Sequence, residues 1–248
     1  HSLALSNNGT VDLLEGEWVV VDPEGNEERR FTGPEYGDNL IEHVMPGSYM
    51  KSVQLKGPGP KNFFVGPLAR LNVNSKMNTP KAQAHLDAFH ASGKPRLSAV
   101  DFIEARLIDM LNCAERINAI AGGELGDGPV RVAVPEVKAG RYVGVIEAPR
   151  GILVHDFHTD DDGRIADVNL IVATQNNYDA IDRSVESLAR HYLPQNDDEQ
   201  LLNGVEFAMR CFDPCLACAT HTAGRMPLIV EMRRGAEVVR TIRRGAAS

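Results

Sequence analysis

The chain has 248 residues, 43% of them hydrophobic and 24% charged, with a formal net charge of -8. Those values predict an ordinary soluble globular protein, and the acidic balance argues against nucleic acid as a partner. No apolar run approaches the roughly 18 residues of a membrane span, and no charged-then-apolar secretory segment opens the chain, which predicts a cytoplasmic location.

In chain order, Asn7-Asn8-Gly9 is a turn signal, and Trp18 to Asp22 and Glu28 to Phe31 flank Pro23-Glu24-Gly25-Asn26 as a hairpin would. Glu35 to Met45 reads as a short amphipathic helix closed by Pro46-Gly47, Tyr49 to Lys56 as a strand, and Gly57-Pro58-Gly59-Pro60 as a rigid loop. Val65 to Val73 reads as a buried loop in which Arg70 satisfies carbonyls. A helix is predicted over Pro80 to Ser92, with Thr79 as cap and Gly93 as stop. A longer helix runs from a cap at Ser98 to Ala121, with Ile103, Leu107, Leu111, Ala114 and Ile117 as its core-facing stripe.

After Gly140 to Gly144, the alternation in Ile152 to His158 and Ile165 to Thr174, on either side of Asp160-Asp161-Asp162-Gly163, predicts a β-hairpin. His155 and His158 then point to opposite faces and make a poor chelating pair. Asn177 can cap a helix from about Tyr178 to His191 with Ile181, Val185 and Leu188 inward, and Asp197 to Arg210 forms the next helix. The fold class expected from these elements is α+β and helix-dominated, with β-hairpins packed around a helical core.

That last helix delivers the chain to Asp213-Pro214-Cys215-Leu216-Ala217-Cys218-Ala219-Thr220-His221. Two cysteines three apart can turn both sulfurs to one side of a turn, which suits thiolate chelation of one soft or borderline metal better than a disulfide. His221 follows Cys218 by the same interval, and Pro214 disfavours helix at Asp213. By spacing alone the cluster is moderately specific: zinc sites usually add a second Cys or His cluster, and Cys113 and Cys211 are isolated here. The chain opens at His1 without an initiator methionine, which predicts a piece of something longer.

Asp213 to His221, read with Gly224-Arg225-Met226-Pro227-Leu228, resembles the C-terminal signature of nickel-iron hydrogenase large subunits, and Val65 to Val73 resembles a further motif of that family. The resemblance covers nearly the whole chain as the C-terminal half of such a large subunit, most like the cytoplasmic, cofactor-coupled F420-non-reducing and NAD-linked types. It implies that His1 to Leu14 is the tail of a long helix, that Cys215 is the terminal thiolate ligand of nickel, and that Cys218 bridges nickel and iron. The iron would carry CO and cyanide ligands.

On the same resemblance, Arg150 hangs over the metals and Asp213 is a carboxylate of the canopy around the open metal position. Thr174, with Ala173, would hydrogen-bond a cyanide, and Leu153 would line the apolar pocket around the carbonyl. His155 would steady a cysteine sulfur from behind, and the backbone of Leu170 and the ring of His221 would face a magnesium or iron ion. The implied partners are an iron-sulfur small subunit with its clusters, an N-terminal half or second chain bringing the other cysteine pair, and a maturation endopeptidase that cuts after His221. Residues 1–221 are then the portion belonging to the large subunit. Residues 222–248, with six arginines against two glutamates, resemble the extension removed on maturation. The implied reaction is reversible oxidation of dihydrogen. A non-catalytic metal-binding or scaffold relative, and a small zinc-binding domain, remain the alternatives. Helices that would pack against the other half are expected to expose apolar faces.

Overall fold

A computed structural model describes residues 1–248 except 47, 49, 124, 125, 127, 132, 134, 135, 137, 196, 220–227 and 245–248. The first element is a strand, β1 (Ser2–Ser6), where the resemblance implies a helix tail. Its Ser-Leu-Ala-Leu-Ser alternation has period two, and all five residues are buried. Leu3 and Leu5 point into one core and Ala4 into another, so β1 is the wall between them. It pairs antiparallel with β2 (Glu17–Val21), which pairs with β3 (Glu27–Phe31) in the expected hairpin.

The helix expected over Glu35 to Met45 ends after one turn, α1 (Tyr36–Asn39), and the chain continues as β4 (Leu40–His43) against β5 (Ser52–Leu55). Strand pairing, with Leu40 opposite Leu55, outweighs a weak local helical preference. Residues expected to form a loop make α2 (Pro67–Val73), begun by Pro67 at its first position and nearly all buried.

The two long helices, α3 (Pro80–Ala91) and α4 (Asp101–Ala121), lie where expected. The Thr79 side chain makes no capping bond to α3; its hydroxyl donates to Asn112 instead. The face of α4 that enters the core is only partly the expected one: Leu111 packs against it, but most of the stripe does not. Phe102, Ala105 and Ile108 are buried, whereas Leu107 and Ile117 are 62% and 65% exposed. α4 carries apolar residues on two faces, and periodicity alone does not say which one meets the protein. The outward stripe is the unpartnered apolar face anticipated for a helix of a larger assembly.

β6 (Gly140–Ala148), β7 (Gly151–Thr159) and β8 (Ile165–Ile171) form an antiparallel sheet with β7 central. β8 stops short of the expected end at Thr174, because residues 173–176 turn into α5 (Ala173–Asn176). α6 (Tyr178–Tyr192), α7 (Asp198–Cys211) and the single turn α8 (Leu216–Ala219) follow. Asp197 caps α7 by accepting from the Glu199 and Gln200 amides. β9 (Leu228–Arg234) and β10 (Glu237–Arg244) form a final hairpin, anchored by Ile242 on Leu201 and Leu202 of α7 and by an Arg240–Asp198 ion pair.

Among the described residues helix exceeds strand only by about 39% to 29%, and the core is divided in two. One core is built from α2, α3, α4 and Phe212; the other lies among the strands around Trp18, Leu55, Ile152 and Val154. The β6–β7 turn is fitted against the entry to α2 at two glycines. Gly66 and Gly151 have φ of 98° and 127°, and a Cβ on Gly151 would come within 2.2 Å of the Val65 side chain. Gly151→Ala is therefore expected to destabilise the fold by more than about 1 kcal/mol, because both the positive φ and the contact must be strained. Chemical denaturation measures it; a loss below a few tenths would contradict the close packing.

Candidate metal centre

α7 ends at Cys211, and Phe212 packs on Phe102 of α4 with ring centroids 4.6 Å apart, so the helix end is set by the first core. Arg106 of α4 also donates to the Cys211 carbonyl at 3.0 Å. Asp213 then adopts φ 49°, the left-handed conformation that Asp tolerates better than most residues, and its amide donates back to Arg210 O. Pro214 follows, and the chain is turned out of the helix axis into Cys215–Cys218.

The two cysteine sulfurs are brought together with Cα atoms 5.3 Å apart and are joined as a disulfide. Their three-residue spacing does put both sulfurs on one side of a turn, but the bond present is a disulfide where thiolates were expected. Metal ligation requires that bond to be reduced by two electrons to two thiolates. A pair of thiolates is a donor set suited to nickel or low-spin iron, so the residues fit such a group in part. Among the described residues no group of three or more His, Cys, Asp or Glu could hold a metal ion. Within the described residues the candidate donors are these two sulfurs, and His221 lies outside those residues.

Arg150 reaches the turn from the β6–β7 loop. Its Nε donates to Asp213 O at 2.5 Å, and its terminal nitrogen lies 3.1 Å from the Asp213 carboxylate. Both side chains are more than a third exposed, at 36% and 45%, so this is an accessible pair and not a buried one. From the other side, α5 packs against α8, and the Thr174 hydroxyl oxygen accepts from the Cys215 amide at 3.0 Å. Thr174 and Ala173 are buried, and the hydroxyl proton of Thr174 stays available for a second partner. Arg150, Asp213, Ala173, Thr174, Cys215 and Cys218 thus form one cluster.

Leu153, His155 and Leu170 form another. β7 alternates, with Ile152, Val154 and Asp156 buried, while His155 is exposed and lies directly opposite Leu170, itself 38% exposed. His155 meets the ring of Phe157 edge-on at 5.8 Å. Among the described residues it makes no hydrogen bond to a cysteine sulfur, because its strand face is turned away from the inner core.

The linear order of residues assigned no chemistry to the polar group beneath Arg150. Arg70, on α2, is only 1% exposed. Its Nε donates to Glu147 at 2.8 Å, and its two terminal nitrogens reach Asp109 of α4, Ala148 O and, at 3.2 Å, Pro149 O. Glu147 also accepts from the Leu5 amide at 2.9 Å. The expectation that Arg70 satisfies carbonyls holds, although it does so from a helix and also pairs two carboxylates. Asn177, expected to cap α6, instead brackets Val65 through that residue's N–H and C=O. A buried Asp at one helix turn from an apolar stripe, as Asp109 is, was the signal that could have found this network. Between it and α4 lies a cavity of about 470 Å³ reached by Met110, Cys113 and Asp213.

Burial pushes the Glu147 carboxyl above its ordinary range, against the pull of Arg70 and the Leu5 amide. A carboxyl raised on folding contributes stability that is full below its unfolded value, about 4.3, and is lost as pH rises through the raised value. Compared with Glu147→Gln, the wild type is therefore expected to lose unfolding free energy as pH rises above about 4.3, at no more than about 1.4 kcal/mol per pH unit. Urea titrations of both proteins across that range measure it, and parallel stability curves would contradict it.

The profile of the family described as nickel-dependent hydrogenase matches residues 23–221. The chain belongs to the nickel-dependent hydrogenase family. It is 40% identical to a chain of the vhc F420-non-reducing hydrogenase of Methanococcus voltae, over 98% of this chain and 53% of that one. It is 36% identical to the beta chain of the NAD-reducing hydrogenase HoxS of Cupriavidus necator, over 92% and 48%. Its fold is similar to the crystal structure of an NAD+-reducing [NiFe]-hydrogenase in the H2-reduced state, with TM-score 0.78 and 36% identity over 89% of this chain and 50% of that one. A [NiFeSe]-hydrogenase of Dm. baculatum shares the fold at TM-score 0.59. The chain spans about half the length of the curated hydrogenase relatives it matches. Among the described residues no helix is long and apolar enough to cross a membrane.

Proposed function

We propose that residues 1–221 are the C-terminal half of a nickel-iron hydrogenase catalytic subunit. That large subunit would oxidise dihydrogen reversibly to protons and electrons and pass the electrons to an iron-sulfur small subunit. The observation that carries this is the cysteine pair held between Arg150–Asp213 and Thr174, in a chain of the family. As thiolates, Cys215 and Cys218 would both hold the nickel-iron group. The bimetallic group, with CO and cyanide on iron, supplies the polarisation of dihydrogen and the electron exit when bound.

The chain's own residues do the rest. Thr174 holds the Cys215 amide and with it the start of the turn. Arg150 places a positive charge beside the turn, where it steadies anionic ligands and sits close to a carboxylate that can take or give a proton. Leu153 would supply apolar surface to the iron side, and the Leu170 backbone, with His221, would meet a magnesium or iron ion. The other cysteine pair would come from an N-terminal half or a second chain, and residues 222–248 would be the extension cut away by a maturation endopeptidase. Kinship with F420-non-reducing and NAD-reducing enzymes supports a cytoplasmic location.

Intact mass and metal analysis of the protein, purified anaerobically from its native source, test this. Nickel and iron at roughly one each, in an assembly whose catalytic chain ends at His221, support it. A chain ending at Ser248 with zinc or no metal, and no hydrogen-dependent dye reduction, would favour the non-catalytic or zinc-binding alternatives.

A further inference from the structure

Arg150 is exposed by more than a third, and an exposed ion pair holds its partners only weakly. What fixes its place is the backbone beneath it. The carbonyls of Ala148 and Pro149, the two residues before Arg150, both accept from one terminal nitrogen of Arg70. The other donors of that guanidinium are held by Glu147 and Asp109, so the fork cannot swing. Close approach of Gly66 to the Arg150 carbonyl, where a Cβ would lie at 2.7 Å, makes the α2 entry and the Arg150 loop one packed unit. Beyond it, Arg150 Nε holds the Asp213 carbonyl at 2.5 Å, at the head of the cysteine turn.

We propose that Arg70 is a positioning residue for the metal centre: by clamping the Ala148 and Pro149 carbonyls it sets where the Arg150 guanidinium stands and, through Asp213, where the cysteine turn lies. This rests on the reading of Cys215 and Cys218 as the nickel-iron site. Only arginine can do it, because two carboxylates and two carbonyls in different directions need a planar set of five donors. A lysine keeps the charge but gathers its three donors on one nitrogen. The charge-assisted bonds to Glu147 and Asp109 take two of them, and the third cannot clamp both carbonyls.

Arg70→Lys therefore separates positioning from folding. In the reduced, metal-free full chain, hydrogen exchange is expected to speed up by at least about tenfold over residues 148–153 and 213–216, with α3 and β2 unchanged. Unchanged exchange in both segments, or equal acceleration everywhere, would overturn the proposal. In the assembled enzyme Arg70→Lys should shift the infrared stretching bands of the cyanide ligands and lower kcat with KM unchanged, at wild-type nickel content. Bands and kcat matching the wild type would also overturn it. Wild-type protein found without nickel, together with faster exchange in Arg70→Lys, would sink the hydrogenase reading while leaving the clamp in place.

Discussion

Cys218→Ser is expected to strip nickel from the assembled protein and abolish hydrogen-dependent dye reduction. A serine hydroxyl is not deprotonated at neutral pH and is a hard donor, so it replaces neither the charge nor the softness of a thiolate. Removing a group that merely orients a ligand costs about 10- to 100-fold in metal affinity or activity, and removing the ligand itself should cost more. Metal analysis of the purified variant, with its thermal transition measured alongside, separates ligand loss from misfolding. A Cys218→Ser protein with full nickel and activity would remove the basis of the proposed centre.

Arg70→Met is expected to lower stability by about 3–5 kcal/mol, because it leaves two buried carboxylates without the guanidinium that pairs them. Glu147 is 4% exposed and Asp109 8%, and the Leu5 amide is the only other donor shown to meet the Glu147 carboxylate among the described residues. Against a total of roughly 5–15 kcal/mol for a domain, such a loss brings the chain close to unfolding. Denaturant titration measures it, and adding Glu147→Gln and Asp109→Leu should recover most of the deficit, as an apolar replacement of a whole ion cluster usually does. A single variant within about 1 kcal/mol of wild type would mean that the carboxylates take up protons at little cost.

Much of the site was legible in the linear order of residues. The three-residue spacing of Cys215 and Cys218, the break at Asp213-Pro214 and the helix ahead of it are local properties, governed by side-chain chemistry and a few dihedral angles. The hairpin of β2 and β3 and the starts of α3, α6 and α7 are local in the same sense. The group assembled around the cysteines was visible only through kinship, since Arg150 and Thr174 lie 65 and 41 positions before Cys215, and no periodicity links such separations.

Other features were decided by what lies opposite in space. β1 is a strand because β2 and two cores cover it, and β4 displaces helix because β5 is there to pair with. α4 had two apolar faces, and the presence of α2 and α3 beside Phe102 and Ile108 chose between them. Arg70, Asp109 and Glu147 come from three distant segments, and they meet because a buried guanidinium is tolerable only where carboxylates meet it. The sequence by itself determined the candidate donors and the turn that carries them, through local chemistry. Only the tertiary structure decided which charges were buried together and where Arg150 stands, because desolvation and packing act between segments the chain order keeps apart.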